Sequence, residues 1–277
     1  MKNFLRKILI RDKFKTIFKN LILSKYKKIK IKNIICEVDK NSILYNKNSK
    51  LHLLVDTIIT PSVLTSNSWD SFVYNFLKKF NKKKKYFFFD IGAHVGLISL
   101  QINNLKSVKK IICFEPLDLH FDLLKKNLVG KKFILNNFGL TDKKNSSVKI
   151  YTNKFNSGHT SALDKSSIYQ NVELKNINFI FNNYIKKYKI KNIIYKSDVE
   201  GMDEILFSSL SNLIIKKVDI AFLEITNFNY ILKNWNLFIK KIKVFNFFYN
   251  EKFEIISEKN LFNLVKKQVG FNLILKK

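Results

Sequence analysis

The segment YFFFDIGAHVGLISL, residues 86–100, contains the features that decide the fold. Four aromatic residues lead into a single acid, Asp90, and Gly92 and Gly96 follow before an apolar, helix-like pattern resumes. A continuous apolar run is typical of a strand that is buried on both faces of a parallel sheet. Glycine lets the backbone turn tightly and approach a ligand closely. Because ligands bind beyond the carboxyl ends of such strands, the segment predicts a strand, a ligand-binding loop and a helix.

The same alternation of short apolar runs and amphipathic helical patterns continues along the chain. This rhythm predicts an α/β fold, a doubly wound, mainly parallel, Rossmann-like sheet covered by helices on both faces. The predicted strands are YFFFDI (86–91), KIICFE (110–115), KFILNN (132–137), NIIYKSD (192–198) and DIAFLEI (219–225). The predicted helices are VGLISLQINNL (95–105), LHFDLLKKNL (119–128) and DEILFSSLSNLI (203–214). Residues 146–181 interrupt the rhythm and predict an inserted antiparallel segment that flanks a polar loop and helps cover a site.

A basic N-terminal extension, residues 1–80, precedes the main domain, residues 81–277. Residues 66–80 predict a helix, and apolar side chains near helical spacing in the first 25 residues predict another. Two interpretations of residues 1–25 remain open: a helix on an anionic membrane surface, or a helix that packs on the main domain. The apolar positions of this lead helix are Leu5, Ile8, Leu9, Ile17, Phe18 and Leu21.

Composition limits the class of protein. The 277 residues contain enough apolar side chains to bury a sizeable core, and the sequence shows neither a long uncharged apolar run nor a signal-peptide cleavage pattern. Cys36 and Cys113 have no metal or redox spacing, and no other residue spacing indicates a metal site. We therefore expect a cytoplasmic protein with two reduced thiols.

The formal net charge of +30, from 51 Lys and Arg against 21 Asp and Glu, resembles that of a nucleic-acid-binding protein at first sight. The excess is nearly all lysine, however, and it is spread over the whole chain instead of forming one arginine-rich patch. Such a field attracts anionic surfaces and substrates in a salt-dependent way. We interpret the charge as a compositional bias and expect no nucleic-acid partner.

Two acids at the ends of neighbouring strands predict a cofactor. Asp90, which we expect at an exposed strand tip, can accept hydrogen bonds from an amine-bearing ligand. Glu115, at the next tip, is placed to bind the two hydroxyls of a ribose. The loop spacing D-x-G-x-x-x-G differs from the patterns that bind dinucleotides and nucleoside triphosphates. A nucleoside with a charged amino-acid tail satisfies both acids, and S-adenosylmethionine is such a molecule.

The segment YKSDVEG, residues 195–201, predicts chemistry beside the cofactor. Lys196 and Asp198 lie two apart in a strand and share one face, and Glu200 follows in the turn. One interpretation is an ion pair that braces the loop; the other is a group that positions and deprotonates an acceptor hydroxyl. His159, in the polar loop NSGHTSAL, is a competing base, and Glu224 either lines the same mouth or caps the next element.

Six motifs occur in order across roughly residues 86–226: FFDIGAHVGLISL, CFEP, NNFGLTD, NSGHTSAL, YKSDVEG and AFLEI. Together they resemble the FkbM-type S-adenosylmethionine-dependent methyltransferases, which implies a class I methyltransferase fold. The sequence differs from the family pattern at His94, where the family has asparagine, and at Asn182 and Asn183, where it has two acids.

The resemblance implies methylation of a hydroxyl on a sugar, a glycan precursor or a related small metabolite. Two alternatives stay open, an RNA methyltransferase and a non-enzymatic basic surface-binding protein with this fold. The implied cofactor residues are Asp90, Gly92, Ala93, His94 and Gly96 around the methionine end, Glu115 on the ribose, and Asn137 with Phe138 beside the adenine. The candidate catalytic residues are Asp198, Glu200, Lys196 and His159.

Overall fold

The computed structural model describes residues 33–38, 42–45, 50–80, 84–152, 160–161 and 169–277. His159 and residues 1–25, for which the sequence predicts functions, lie outside the described residues. None of the helices in the described ranges is both long enough and apolar enough to cross a bilayer.

The described strands form three sheets. The strands are β1 (Asn33–Glu37), β2 (Lys50–Leu54), β3 (Tyr86–Ile91), β4 (Val108–Phe114), β5 (Phe133–Asn136), β6 (Gly139–Thr141), β7 (Ser146–Thr152), β8 (Thr160–Ser161), β9 (Tyr169–Asn176), β10 (Ile193–Ser197), β11 (Val218–Ile225), β12 (Phe247–Tyr249) and β13 (Phe271–Lys276). The central sheet has seven strands in the order β12-β13-β11-β10-β3-β4-β5. In this sheet β13 is antiparallel to both of its neighbours, and the pairs from β11 to β5 are parallel.

The described helices connect these strands and cover both faces of the central sheet. They are α1 (Ile59–Ser66), α2 (Phe72–Phe80), α3 (Leu97–Asn103), α4 (Asp118–Asn127), α5 (Ile177–Tyr188), α6 (Asp203–Ser209), α7 (Asn212–Ile215), α8 (Phe228–Lys233), α9 (Trp235–Ile242) and α10 (Glu258–Lys266). Starting from β3, the sheet continues through β4 to β5 on one side. On its other side β3 is followed by β10 and β11, which come later in the chain. The order therefore reverses between β3 and β10, which is where an open α/β sheet forms a ligand crevice.

Alternation of side chains along the buried strands explains the two halves of the core. Phe87 and Phe89 of β3 point to one face, and Tyr86 and Phe88 point to the other, and each set joins its own hydrophobic cluster. All six residues of β3 are buried. The predicted doubly wound α/β fold is thus confirmed, and the continuous apolar runs reflect burial on both faces.

The inserted segment forms a small separate sheet in the order β6-β9-β7-β8. The pairs β7–β8 and β7–β9 are antiparallel, as the sequence predicts, and β6 joins β9 in parallel. Two details differ from the prediction. The apolar run at residues 177–181 begins α5, since the Asn176 side chain accepts a hydrogen bond from Phe179 N at 3.0 Å and caps the helix. The predicted helix at 203–214 is divided into α6 and α7, because Ser211 caps a new helix there.

Residues 50–80 pack directly on the central sheet. Phe76 of α2 is fully buried and meets the rings of Phe222 on β11 and Tyr249 on β12, with centroids 5.7 Å and 5.3 Å away. The Asn127 amide at the end of α4 binds both the backbone N–H and the carbonyl of His52 on β2, each at 2.8 Å. Residues 50–80 therefore cover part of one face of the central sheet.

Replacing Phe76 by alanine tests how far stability depends on this packing. We expect Phe76→Ala to lower the free energy of unfolding by about 3–5 kcal/mol, because a large aromatic ring is lost from a site that cannot collapse fully. Urea unfolding followed by circular dichroism measures the change. Phe179→Ala is the matched control, since Phe179 is 60% exposed. Equal stability of the two variants would show that residues 50–80 are not an integral part of the folded domain.

Candidate active site

A cavity of about 540 Å³ opens at the carboxyl ends of the central parallel strands. Its volume lies in the range of small-molecule sites. Eight residues singled out from the sequence line it: Gly92, Ala93, His94, Glu115, Lys196, Asp198, Glu200 and Glu224. The sequence thus located much of the cavity wall, from strand ends that are far apart along the chain.

One row of residues follows the edge of the sheet below the cavity. Asp90 pairs in register with Cys113 on β4 and with Lys196 on β10, and Lys196 pairs with Phe222 on β11. Side chains two positions further along a strand point to the same face. The next row towards the cavity therefore consists of Glu115, Gly92, Asp198 and Glu224, and all four line it.

Asp90 and Lys196 form a buried ion pair directly under the cavity. Lys196 Nζ lies 3.1 Å from Asp90 Oδ1, and Ser99 Oγ donates to Asp90 Oδ2 at 2.6 Å. Asp90 has no exposed surface, so the expectation that it lies at an exposed strand tip is wrong. Asp90 does not line the cavity, whereas Gly92, two residues further along the chain, does. Burial opposes the charge on Lys196, but Asp90 and Asp198 outweigh it and raise its pKa above the usual value.

The loop after β3 is held close to the loop after β10. Gly92 has a φ of +73°, and a Cβ at this position would lie 2.0 Å from the backbone oxygen of Asp198. The Gly92 carbonyl accepts a hydrogen bond from Lys196 Nζ at 3.1 Å, and its N–H donates to Phe114 O at 3.0 Å. Only glycine combines this conformation with such a close approach.

Gly96 has a different role from Gly92. It begins α3 with a φ of +88°, and a Cβ there would lie 2.8 Å from Leu124 of α4. It lies behind the loop and does not line the cavity. His94, between the two glycines, has a φ of +51°, a conformation that asparagine adopts more readily than most residues.

Hydrogen bonds from two backbone N–H groups hold the Glu115 carboxylate in place. Its Oε2 accepts a hydrogen bond from His94 N at 2.9 Å, and its Oε1 accepts one from Leu117 N at 2.9 Å. The ring nitrogen Nδ1 of His120 lies 3.5 Å from Oε1, and the His94 and His120 rings are 4.4 Å apart. Glu115 is only 4% exposed, so the expectation of an exposed tip is wrong here too, although it does line the cavity.

His120 is a cavity residue that the sequence analysis missed. It lies on the first turn of α4, five residues after Glu115, where one helical turn brings it back over the strand end. The only signal in the sequence is its place just after the CFEP motif.

Asn137 and Phe138 do not line the cavity. The Asn137 amide donates to the carbonyls of Glu115 and Pro116 at 3.1 Å and 3.2 Å, and Phe138 packs against Phe114 at 5.7 Å. The chain just beyond them, residues 139–143, forms this part of the wall. The two residues support this wall through these contacts, and their contact with the adenine stays a prediction.

Carboxyl groups dominate the opposite part of the cavity. Asp198 lies 3.8 Å from Lys196 Nζ, so the pair predicted from the sequence exists, with Asp90 as a second partner. Glu200 follows in a left-handed turn with a φ of +49°. Beneath this turn, Asp203 is fully buried and accepts a hydrogen bond from Val199 N at 3.2 Å. Burial, together with the charge of Asp198, raises the pKa of Asp203 to about 7.

Two other parts of the chain complete the walls. Val148, Ile150 and Leu174 of the inserted sheet present apolar side chains. Trp69 and Asp70, between α1 and α2, lie on another side, and the Gln101 side chain donates to Trp69 O at 2.5 Å. In the ranges that the structure describes, no group of three or more His, Cys, Asp or Glu residues is arranged to hold a metal ion.

The strand order and the position of this cavity agree with the class I methyltransferase fold that the sequence predicts. The sequence profile of the Methyltransferase FkbM domain matches residues 90–250. The chain therefore belongs to the FkbM methyltransferase family, as its motifs indicate, and its cofactor is S-adenosylmethionine.

Several solved structures are similar to the chain. The precorrin-6Y C5,15-methyltransferase from Geobacter metallireducens is 11% identical, with 74% of this chain and 87% of that chain covered and a TM-score of 0.36. A SAM-dependent methyltransferase from Leishmania major is 9% identical, with 80% and 76% covered and a TM-score of 0.38. The plantazolicin methyltransferase BpumL, solved with S-adenosylhomocysteine, is 10% identical, with 75% and 82% covered and a TM-score of 0.32. No curated protein sequence matches the chain significantly.

The residues of the cavity suit this cofactor. Glu115 offers carboxylate oxygens to hydroxyl groups, and the Gly92 loop brings the backbone close to the wall without a side chain in between. The apolar side chains of the inserted sheet suit an aromatic ring or an aliphatic chain. This lining therefore suits a ligand that carries both hydroxyl groups and an apolar or aromatic part.

Substituting Gly92 tests the contact between the two loops. We expect Gly92→Ala to abolish measurable binding of S-adenosylhomocysteine in calorimetry, because the new Cβ overlaps the Asp198 carbonyl and must push the loops apart. Gly130→Ala is the matched control: its φ is also positive, at +125°, but a Cβ there meets nothing within 4 Å. Both variants carry a backbone strain of about 1–2 kcal/mol, so a binding loss in both would contradict the steric explanation.

Removing one partner of the Asp90–Lys196 ion pair tests how much the pair contributes to stability. Lys196→Met leaves Asp90 without its cation, and we expect the free energy of unfolding to fall by about 3–5 kcal/mol. The double variant Asp90→Asn, Lys196→Met removes both charges and should recover much of that loss in urea unfolding. If the double variant is less stable than Lys196→Met alone, the uncompensated carboxylate is not the cause.

Proposed function

We propose that this protein transfers a methyl group to a hydroxyl oxygen of a sugar, a glycan precursor or a related small metabolite. The observation that carries the proposal is the division of the cavity into two parts. Glu115 and the Gly92 loop line one part, whereas Asp198, Glu200 and Glu224 line the other. Glu115 and Glu224 are three strand spacings apart, about 14 Å, so the two parts have room for two reactants.

We propose that the part of the cavity lined by Glu115 and the Gly92 loop holds the cofactor. Glu115, kept rigid by His94 N and Leu117 N, binds the ribose hydroxyls. Gly92, Ala93 and His94 form the wall beside the methionine end, and Asp90 and Gly96 support that loop from below and behind. When bound, S-adenosylmethionine supplies an electrophilic methyl group on a sulfonium centre.

We propose that the part of the cavity lined by Asp198, Glu200 and Glu224 holds the acceptor. A neutral hydroxyl is a weak nucleophile, so methyl transfer needs its oxygen to be oriented and its proton to be accepted. Carboxylates serve both purposes, since they accept hydrogen bonds from hydroxyl groups and can take up a proton. Lys196, held between Asp90 and Asp198, fixes the Asp198 carboxylate in place. His159 stays a candidate base on the strength of its sequence position.

We further propose that residues 1–80 form an extension to a methyltransferase domain at residues 81–277. Residues 50–80 contribute Ile58, Ile59, Trp69 and Asp70 to the cavity wall. The extension thus takes part in the acceptor site and does not serve only as a tether. Contact of residues 1–25 with an anionic membrane surface stays a prediction from their amphipathic sequence.

An RNA acceptor is less compatible with this cavity. The net charge of +30 favours RNA binding in general. The acceptor part of the cavity, however, is lined by carboxyl groups, which repel phosphates at short range. In RNA, phosphates flank every ribose hydroxyl, whereas a hydroxyl of a sugar or glycan precursor can react at a distance from any phosphate.

Two measurements test the proposal. We expect the protein to bind S-adenosylhomocysteine in calorimetry and to transfer tritium-labelled methyl groups to a sugar-nucleotide fraction of a metabolite extract, but not to bulk RNA. Glu115→Gln should weaken S-adenosylhomocysteine binding by about 1.5–3 kcal/mol, because a charged hydrogen-bond acceptor is lost. Label in the RNA fraction alone would identify the alternative acceptor class. Binding without transfer to any fraction would favour a non-enzymatic role.

A further inference from the structure

Glu224 occupies a distinctive position in the cavity wall. It lies near the end of β11, two residues after Phe222, which pairs in register with Lys196. It therefore lies on the same face as Lys196 and one row closer to the cavity, which it lines. On its other side it pairs with Asn272 of β13, a neutral residue that also lines the cavity.

The Glu224 carboxyl group has an oxygen without a hydrogen-bond partner and, unlike the buried carboxyls of Asp203 and Glu204, belongs to a residue that lines the cavity. Its Oε2 is buried and accepts no hydrogen bond from the described residues. Asp90, by contrast, is engaged by Lys196 and Ser99. Asp198 shares the Lys196 ammonium at 3.8 Å, and its side chain is 38% exposed to water. A buried carboxyl oxygen that lacks a partner, on a residue that lines the cavity, is suited to receive a hydrogen bond from a bound molecule.

We propose that Glu224 is the catalytic residue that accepts the proton of the acceptor hydroxyl. This inference rests on the proposed function. In the step, the O–H bond of the acceptor breaks and its proton passes to a Glu224 oxygen. The electron pair of the acceptor oxygen forms the new bond to the methyl carbon, while the carbon–sulfur bond breaks and leaves its electron pair on sulfur. The products are the methyl ether, neutral S-adenosylhomocysteine and a protonated Glu224, which then loses its proton to water.

The surroundings of Glu224 raise the pKa of its carboxyl group, which suits a proton acceptor. Burial is the main cause that raises its pKa to about 8, and the carboxylates of Asp198, Glu200 and Asp203 add to the effect, whereas Lys196 opposes it. A base whose pKa lies near the working pH combines sufficient ionisation with sufficient proton affinity. Because the carboxyl is protonated below this pH, the rate of methyl transfer should rise with pH and level off above about 8.

The other groups near Glu224 belong to the elements that pack against it. On β13, the Asn272 amide donates to Glu251 at 3.2 Å. On α6, Glu204 accepts hydrogen bonds from the N–H groups of Thr226 and Asn227, at 2.7 Å and 2.8 Å, just after β11. Asp70 lines the same cavity from the loop between α1 and α2. These additional groups are neutral or acidic, so they add no cation that would hold Glu224 ionised.

The first experiment needs no acceptor. Calorimetric titrations with S-adenosylmethionine and S-adenosylhomocysteine at pH 7, each in two buffers of different ionisation enthalpy, give the protons released on binding. A sulfonium cation favours the ionised form of a nearby carboxyl. We expect wild-type protein to release up to about one proton with S-adenosylmethionine, and fewer with S-adenosylhomocysteine. Glu224→Gln should abolish this difference and leave S-adenosylhomocysteine affinity unchanged.

The second experiment measures single-turnover transfer of tritium-labelled methyl groups to the sugar-nucleotide fraction between pH 6 and pH 9. We expect Glu224→Gln to lower the rate by about 10² to 10⁴ and to remove its rise with pH, since the amide keeps the size of the side chain but cannot accept the proton. Glu224→Asp should keep the pH dependence at a reduced rate. Glu258→Gln is the matched control, because Glu258 lies on the surface and pairs with Lys243.

The outcomes separate the inference from the proposed function. Full activity and an unchanged pH profile in Glu224→Gln would overturn the inference, as would loss of the pH dependence in Asp198→Asn alone. If wild-type protein labels no sugar-nucleotide fraction, the proposed acceptor class fails. The proton release then decides the inference by itself, and an equal release by wild type and Glu224→Gln would overturn it. Thermal melting of each variant confirms that it is folded.

Discussion

The ion pair between Asp90 and Lys196 is the interaction on which the rest of the site depends. It joins the two strands at the point where the sheet reverses its order, and it lies under the cavity with almost no exposure to water. A buried charge is costly unless it is paired, so neither residue can be replaced alone without loss. The Lys196 ammonium also binds the Gly92 carbonyl, and it thereby sets the spacing between the two loops that form the cavity floor.

Sequence reasoning predicted those features that depend on local pattern. Continuous apolar runs identified β3, β4, β5, β10 and β11, because strands buried on both faces have no polar alternation. The acids Glu115 and Asp198 were located because they end such runs. The pairing of Asp90 with Lys196 was missed, since it depends on which strands become neighbours, and that is decided by contacts between distant parts of the chain.

Other errors have equally specific causes. The run at residues 177–181 is short and apolar, a pattern that fits a strand and a buried helix equally well, and the capping by Asn176 settles it as a helix. The exposure of Asp90 was misjudged because it lies inside β3, between Cys113 and Lys196 on the neighbouring strands. Glu115 is buried by the segments that contain His94 and Leu117, whose N–H groups bind its carboxylate. The roles of Asn137 and Phe138 rest on the resemblance alone; the cavity wall begins at Gly139, one residue later, and their contact with the adenine stays a prediction.

The carboxyl-lined cavity lies inside a chain whose net charge is +30. A cationic molecule approaching from solvent is therefore repelled over a distance of about 8 Å at physiological ionic strength before it meets attractive groups within the cavity. Added salt screens the outer repulsion more than the buried attraction. Association of a positively charged ligand with this protein is thus faster at high ionic strength than at low, the opposite of the usual behaviour of oppositely charged partners.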